Sequence, residues 1–89
     1  MTCYLVDLPK YKLAFRIIAN TSNKESIHLV LIQDGVFIDP SKLPNVKTYA
    51  MKPDAEERGA VSRLFNSVKL IGYGELVDLI EKHPVKNFI

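Results

Sequence analysis

From Ile27 to Ile32 the chain is almost continuously branched and apolar, and it stops abruptly at Gln33-Asp34-Gly35 before Val36. A half-exposed strand would alternate between apolar and polar residues. A run this uniform marks a strand covered on both faces, as in a parallel sheet. An amide, an acid and a glycine at its end are residues that turn a chain sharply. In open α/β sheets, ligands and partners meet the protein at the carboxyl ends of the strands. The segment therefore predicts an architecture and an edge at which to look for function, although it offers no catalytic group.

The flanking segments fit the same plan. Thr2 to Val6 is short, apolar and partly β-branched, which predicts a first strand broken by Asp7-Leu8-Pro9. From Lys10 to Asn20, Leu13, Ala14, Ile17 and Ile18 recur at helical spacing, and Asn20 to Lys24 is polar turn material. The second strand is expected over Glu25–Ile32, followed by a turn at Asp34-Gly35. Asp39-Pro40 predicts a short helical turn ending before Pro44. Val46 to Met51 predicts the third strand. Pro53 to Arg58 predicts a short helix with acids in its first turn and Gly59 as its cap. Ala60 to Asn66 is open between helix and loop. Ser67 to Gly72 predicts the fourth strand, and Glu75 to His83 a helix stopped by Pro84, with residues 85–89 as a tail. Four strands alternating with helices predict an α/β fold with a four-stranded, mainly parallel sheet and right-handed crossovers.

At 89 residues the chain is read as one domain, residues 1–89, with a modest core. Its net charge of +2, from 12 basic and 10 acidic residues, lacks the basic stripe of a dedicated nucleic-acid binder. No apolar run is long enough to span a bilayer, and the first residues do not form a secretory signal. One cysteine excludes an internal disulfide, so a reducing, cytoplasmic compartment is expected.

Candidate chemistry is sparse. Cys3 is the single thiol, and it sits inside an apolar strand, where a free cysteine is commonly an inert core residue. His28 and His83 lack a third ligand at metal spacing, so no metal is expected; His28 reads as packed or hydrogen-bonded, and His83 as closing the last helix. No phosphate-binding glycine loop is present, and no cofactor is expected; Gly72-Tyr73-Gly74 reads as a tight strand-to-helix turn. Asp7 and Asp34 could form an acid/base pair, but without a nucleophile they read as turn residues. Glu56, Glu57 and Arg58 read as a solvated helix face. The strand tips are expected to gather Asp7, Gln33, Asp34, Lys52 and Tyr73. Val36-Phe37-Ile38 and Phe88-Ile89 add apolar surface that such a small core cannot easily hide, which points to a homo- or hetero-oligomer.

Three segments occur in a telling order: Leu31-Ile32-Gln33-Asp34-Gly35-Val36, then Tyr49-Ala50-Met51-Lys52-Pro53-Asp54-Ala55-Glu56-Glu57-Arg58-Gly59, then Val68-Lys69-Leu70-Ile71-Gly72-Tyr73 running into Leu76-Val77-Asp78-Leu79. Over roughly residues 27 to 83 the set resembles the DsrH/TusB branch of the DsrE-like family, with Met51 for a usual leucine and Leu76 for a usual phenylalanine. The resemblance implies a small flavodoxin-like, three-layer subunit of a cytoplasmic sulfur-relay complex. Such complexes pass persulfide sulfur toward tRNA wobble-uridine thiolation or sulfur oxidation. Implied partners are sister DsrE-like and DsrF-like subunits and a sulfur-acceptor carrier protein, with no direct nucleic-acid or membrane contact. The sulfur-carrying cysteine of the family usually lies on a DsrE-type sister chain. Some DsrH members carry one in the first helix, but Lys10 to Asn20 has none and Cys3 does not match that position. No catalytic residue is therefore carried over, and the chain is not expected to be an enzyme by itself. Gln33, Asp34, Gly35, Lys52, Arg58 and Tyr73 are the expected interface or strand-tip positions, with Asp54 and Gly59 as matched structural ones. The alternatives are a sulfurtransferase or thiol sensor acting through Cys3, and a self-associating small-molecule-binding domain using the strand-tip edge.

Overall fold

The computed structural model describes residues 2–21, 25–41, 43, 46–65 and 67–89. Its frame is a fully parallel sheet of β1 (Thr2–Val6), β2 (Ile27–Leu31), β3 (Val46–Met51), β4 (Val68–Ile71) and β5 (Val85–Phe88). The strand order is β4-β3-β2-β1-β5. Helix α1 (Tyr11–Thr21) follows β1, α2 (Lys52–Glu57) follows β3 directly, and α3 (Tyr73–Lys82) links β4 to β5. Short 3₁₀ turns occupy Leu8–Lys10, Gln33–Phe37 and Val61–Arg63.

Connections from β1 to β4 step in one direction across the sheet, whereas α3 carries the chain back past β1 to the opposite edge. Right-handed crossovers then require α3 to lie on the other face. The packing follows that rule. On one face Tyr4, Val6, Ile27, Leu29, Leu31 and Ala50 meet Ala14 and Ile18 of α1 and Ala55 of α2. On the other, Cys3, Val30, Ile32, Met51 and Ile71 meet Leu76 and Leu79 of α3. Every residue of β2 is buried, as the unbroken apolar run requires.

The expected four strands are five. Residues 85–89 are not a free tail: Val85–Phe88 pairs with Cys3–Val6 along the otherwise open edge of β1. Phe88 stacks on Tyr4 with ring centroids 5.7 Å apart, and Lys86 Nζ stands 5.8 Å from the Tyr4 ring. A four-residue edge strand shows too little pattern to be seen in sequence; backbone pairing to β1 and one aromatic contact create it. The turn expected after Asp39-Pro40 is a single one: Ser41 N–H donates to Asp39 Oδ1 in an Asx turn and Leu43 N–H donates to the Pro40 carbonyl at 3.1 Å, with no longer helix over the described residues there. The tight turning occurs earlier, at Gln33–Phe37. The expected polar turn at Ser22–Lys24, Pro44 and Asn66 lie outside the described residues. Strand and helix limits otherwise shift by one or two residues, as at Ile27 and Tyr73.

Capping explains the local boundaries. Asp7 Oδ1 accepts from Leu8 N–H at 2.6 Å, which makes Asp7 an N-cap rather than half of a catalytic pair. At the end of α2, Gly59 takes φ 63°, and Gly59 and Ala60 N–H donate to the Glu56 and Ala55 carbonyls. That double bond pattern is a Schellman closure, which needs the left-handed residue that glycine supplies. Gly72, in contrast, has φ −95° and open space at its Cβ position, so the β4–α3 turn does not depend on it.

Gly35 is held by space rather than by φ. A Cβ there would lie 2.4 Å from the Val6 carbonyl oxygen and 3.2 Å from Asp7 Cα, both backbone atoms. The 3₁₀ turn after β2 therefore rests directly on the tip of β1. Gly35→Ala is expected to destabilise the fold by about 1–3 kcal/mol, the range of core overpacking, read as a lowered urea midpoint with unchanged slope.

Candidate functional site: the carboxyl edge of the sheet

The tips of β1, β2, β3 and β4 deliver Asp7, Gln33, Lys52 and Tyr73 in turn along one edge. Their environments differ. Asp7 is buried in its cap. Lys52 is exposed at the first position of α2, and Tyr73 is 65% exposed at the first position of α3. Gln33 and Asp34 are exposed, and Gly35 is buried beneath them.

Around Gln33 the edge is built as a clamp. Ile32 N–H donates to the Val6 carbonyl and Gly35 N–H to the Ile32 carbonyl, so the turn is tied to β1 and to itself. Gln33 N–H donates to Asp54 Oδ2 of α2 at 2.8 Å. Arg58, just past α2, donates through Nε to Asp34 Oδ1 at 2.8 Å and through its terminal nitrogen to the Asp54 carbonyl at 3.3 Å. The Asp34 hydrogen bond, with the carboxylates of Glu57 and Asp54 nearby, raises the Arg58 pKa above its ordinary value. Two loops separated by 21 to 24 residues are thereby fastened into one surface. Arg58 is therefore not part of a simple solvated face, as the helix alone suggests. The spacing of Asp54 and Arg58 four residues apart is the signal that could have found it, since that spacing puts both on one side of a turn.

Gln33 holds φ 50°, the left-handed region. A residue other than glycine there costs on the order of 1 kcal/mol. The surrounding hydrogen bonds maintain it.

Beside the clamp, Leu8, Tyr11, Phe15, Phe37, Ile38 and Asp39 line an open cleft of about 360 Å³. Leu8 is 42% and Phe37 46% exposed, and Tyr11 meets Phe15 edge-on with centroids 5.6 Å apart. The aromatic cleft is not visible in sequence, because its residues come from three separate elements.

Cys3 stands away from this edge. It is wholly buried, on the face covered by α3, and burial pushes its thiol up to about 11. Its register neighbour on β2 is His28. The tertiary fold brings His28 onto His83, the C-cap of α3, with rings stacked 4.8 Å apart. His28 Nδ1 lies 3.0 Å from the Tyr49 hydroxyl, which donates to it when that nitrogen carries no proton. Burial foremost, then the positive charges of His83, Lys47 and the amino terminus, lower the His28 pKa. Burial, then Cys3 and Glu75, raises that of Tyr49. Sequence separation concealed this histidine pair. Among the described residues no three His, Cys, Asp or Glu side chains converge on a metal-sized site, and no helix is long and apolar enough to cross a membrane.

The geometry defines a class first: an all-parallel α/β protein with a polar clamp at its strand tips and a sealed thiol. Residues 10–86 match the family model described as DsrH like protein. The chain belongs to that family, the DsrH/TusB branch of the DsrE-like sulfur-relay proteins. It is similar to Protein TusB of Pectobacterium atrosepticum, with 44% identity over 64 residues, covering 63% of this chain and 67% of the relative. It is 39% identical over 64 residues to Protein TusB of Pectobacterium parmentieri, with the same coverage. Protein TusB of Escherichia coli K12 is 32% identical over 68 residues, covering 67% of this chain and 72% of the relative.

Two outcomes follow from this geometry. Asp54→Ala leaves the Gln33 N–H without its acceptor and is expected to cost about 1 kcal/mol, seen as a lower thermal midpoint, with Asp54→Asn intermediate. For His28, the unfolded chain binds the proton more readily than the folded one, so the stabilising contribution is present above pH 6.5 and is lost as pH falls through the lower folded pKa. Thermal midpoints measured from pH 7.5 down to 5 should fall, and His28→Gln should flatten that decline.

Proposed function

We propose that this chain, acting as one domain, is a non-catalytic subunit of a cytoplasmic sulfur-relay complex. In this reading it shapes the assembly through protein contacts, while a cysteine-bearing DsrE-type sister chain carries the persulfide sulfur. A DsrF-type sister and a sulfur-acceptor carrier protein complete the partners. The TusB relatives favour thiolation of the tRNA wobble uridine as the destination over sulfur oxidation.

The observation that carries the non-catalytic role is the state of Cys3. It is the chain's single cysteine, it has no exposure, and its pKa is about 11. Burial thus holds the thiol in its protonated form at neutral pH, whereas the thiolate is the form that attacks sulfur. A sulfur carrier needs the opposite: an accessible, low-pKa thiol. The exposed Leu8, Phe37, Tyr73, Val77 and Ile80 supply apolar surface suited to partner contacts.

Co-expression with the two sister chains, followed by size-exclusion chromatography, tests the reading. Co-elution as a hetero-oligomer is expected, and a chain that elutes alone overturns it. Cys3→Ser should leave sulfur transfer by the assembled complex unchanged, and iodoacetamide should label Cys3 only after denaturant is added. Labelling of the native chain, together with loss of transfer in Cys3→Ser, would place the sulfur on this subunit instead.

A further inference from the structure

The end of the chain is lightly anchored. α1 and α2 each bury at least one residue completely, whereas α3 buries none and packs on the sheet through the partly buried Leu76 and Leu79. β5 is exposed except at its last residue, Phe88. Few buried contacts mark a segment that opens more readily than the rest of a fold. β5 nevertheless closes the edge of β1, where Cys3 N–H donates to the Pro84 carbonyl at 2.8 Å and Asp7 N–H to that of Phe88 at 3.0 Å. His83 is the junction that sets this strand in place. Its N–H ends α3 on the Leu79 carbonyl, and it holds φ −136° and ψ 147°, the extended backbone that a following proline imposes. Its ring stacks on the buried His28 with centroids 4.8 Å and planes 27° apart, one residue before the first carbonyl that binds β1.

We propose that the His28–His83 stack is a proton-operated latch on β5: neutral rings hold the edge strand against β1, and acid releases it while the rest of the sheet stays folded. Two stacked imidazoles pack stably while at least one is uncharged; two like charges this close repel, and burial weakens the screening. The surrounding groups do not offset that repulsion. Lys47 and Tyr49 face the pair from β3, and Cys3 and the amino terminus from the β1 side. Glu75, Asp78 and Lys82 of α3 line the cleft beside Tyr49, and β5 carries Lys86 over the Tyr4 ring on the opposite face. The charges that act on His28, from His83, Lys47 and the amino terminus, are all positive. Tyr49 can bond either form of His28, since its hydroxyl both donates and accepts. Release of the junction removes His83 and part of the burial, the two largest causes that depress the His28 pKa, and leaves Lys47 and the amino terminus in place. The open form therefore binds the proton more readily than the latched one, and its share grows as pH falls.

Amide hydrogen exchange of the full chain at pH 7.5 and pH 5, corrected for the intrinsic pH dependence of exchange, tests the latch. The Cys3 and Asp7 N–H groups report release of β5, and Val30, inside the buried β2, reports opening of the whole sheet. Protection at Cys3 and Asp7 is expected to fall severalfold at pH 5 while Val30 changes little. The ceiling is roughly 30-fold, reached if His28 takes no proton while latched and regains its ordinary pKa of 6.5 on release. His83→Phe keeps a flat ring on His28 that cannot charge, and should preserve protection at both pH values. His83→Ala removes the ring and should lower protection of Cys3 and Asp7 at both. An equal loss at Cys3, Asp7 and Val30 means that the whole fold opens, and overturns the latch. Unchanged wild-type protection at pH 5, the result if the rings part by side-chain rotation alone, overturns it too. So does a wild-type response to acid in His83→Phe, or wild-type protection at pH 7.5 in His83→Ala.

Discussion

The structure depends first on β2. Ile27–Leu31 is hydrogen-bonded on both sides, to β1 and β3, and every residue is buried. A parallel strand in that position must be apolar on both faces, so both faces of the sheet must be covered. That single requirement calls for helices on two sides. The direction of each crossover then assigns α1 and α2 to one face and α3 to the other. It also places the ends of four strands along one edge, where the chain has no regular pairing left to make. The turn after β2 is pressed onto β1 so closely that Gly35 has no room for a side chain.

Around that edge, α2 adds what the strands cannot. Its Asp54 takes the N–H of Gln33, and Arg58 reaches back to Asp34. A surface ion pair between exposed groups is weak on its own. Here it works with a charged acceptor on a backbone N–H and with a Schellman closure at Gly59 that fixes where Arg58 emerges. The result is a rigid, polar strip beside an apolar cleft. The sealed thiol lies on one side of the molecule and the elaborated strip on another.

Much of the frame was legible. The run to Ile32 and the break at Gln33-Asp34-Gly35 announced a buried parallel strand. Pro53, Asp54 and Gly59 bracketed α2 with the residues that start and stop helices. Gln33, Asp34, Lys52 and Tyr73 could be placed on one edge because strand ends in a parallel sheet share a side. Their partners could not be read. Nothing local tells Arg58 to seek Asp34 rather than Glu57, or tells His28 that it will stack on His83, 55 residues on by the numbering. β5 was read as a tail because a strand of four residues shows no usable periodicity.

The sequence by itself determined the class of layer, the covered faces and the helix limits, because these follow from apolar periodicity and from backbone chemistry within a few residues. Only the tertiary structure decided the fifth strand, the Asp34–Arg58–Asp54 clamp, the left-handed backbone of Gln33, the aromatic cleft and the histidine stack. Each of those needs groups distant in sequence to meet, and the meeting is set by the order in which parallel strands line up rather than by any local preference.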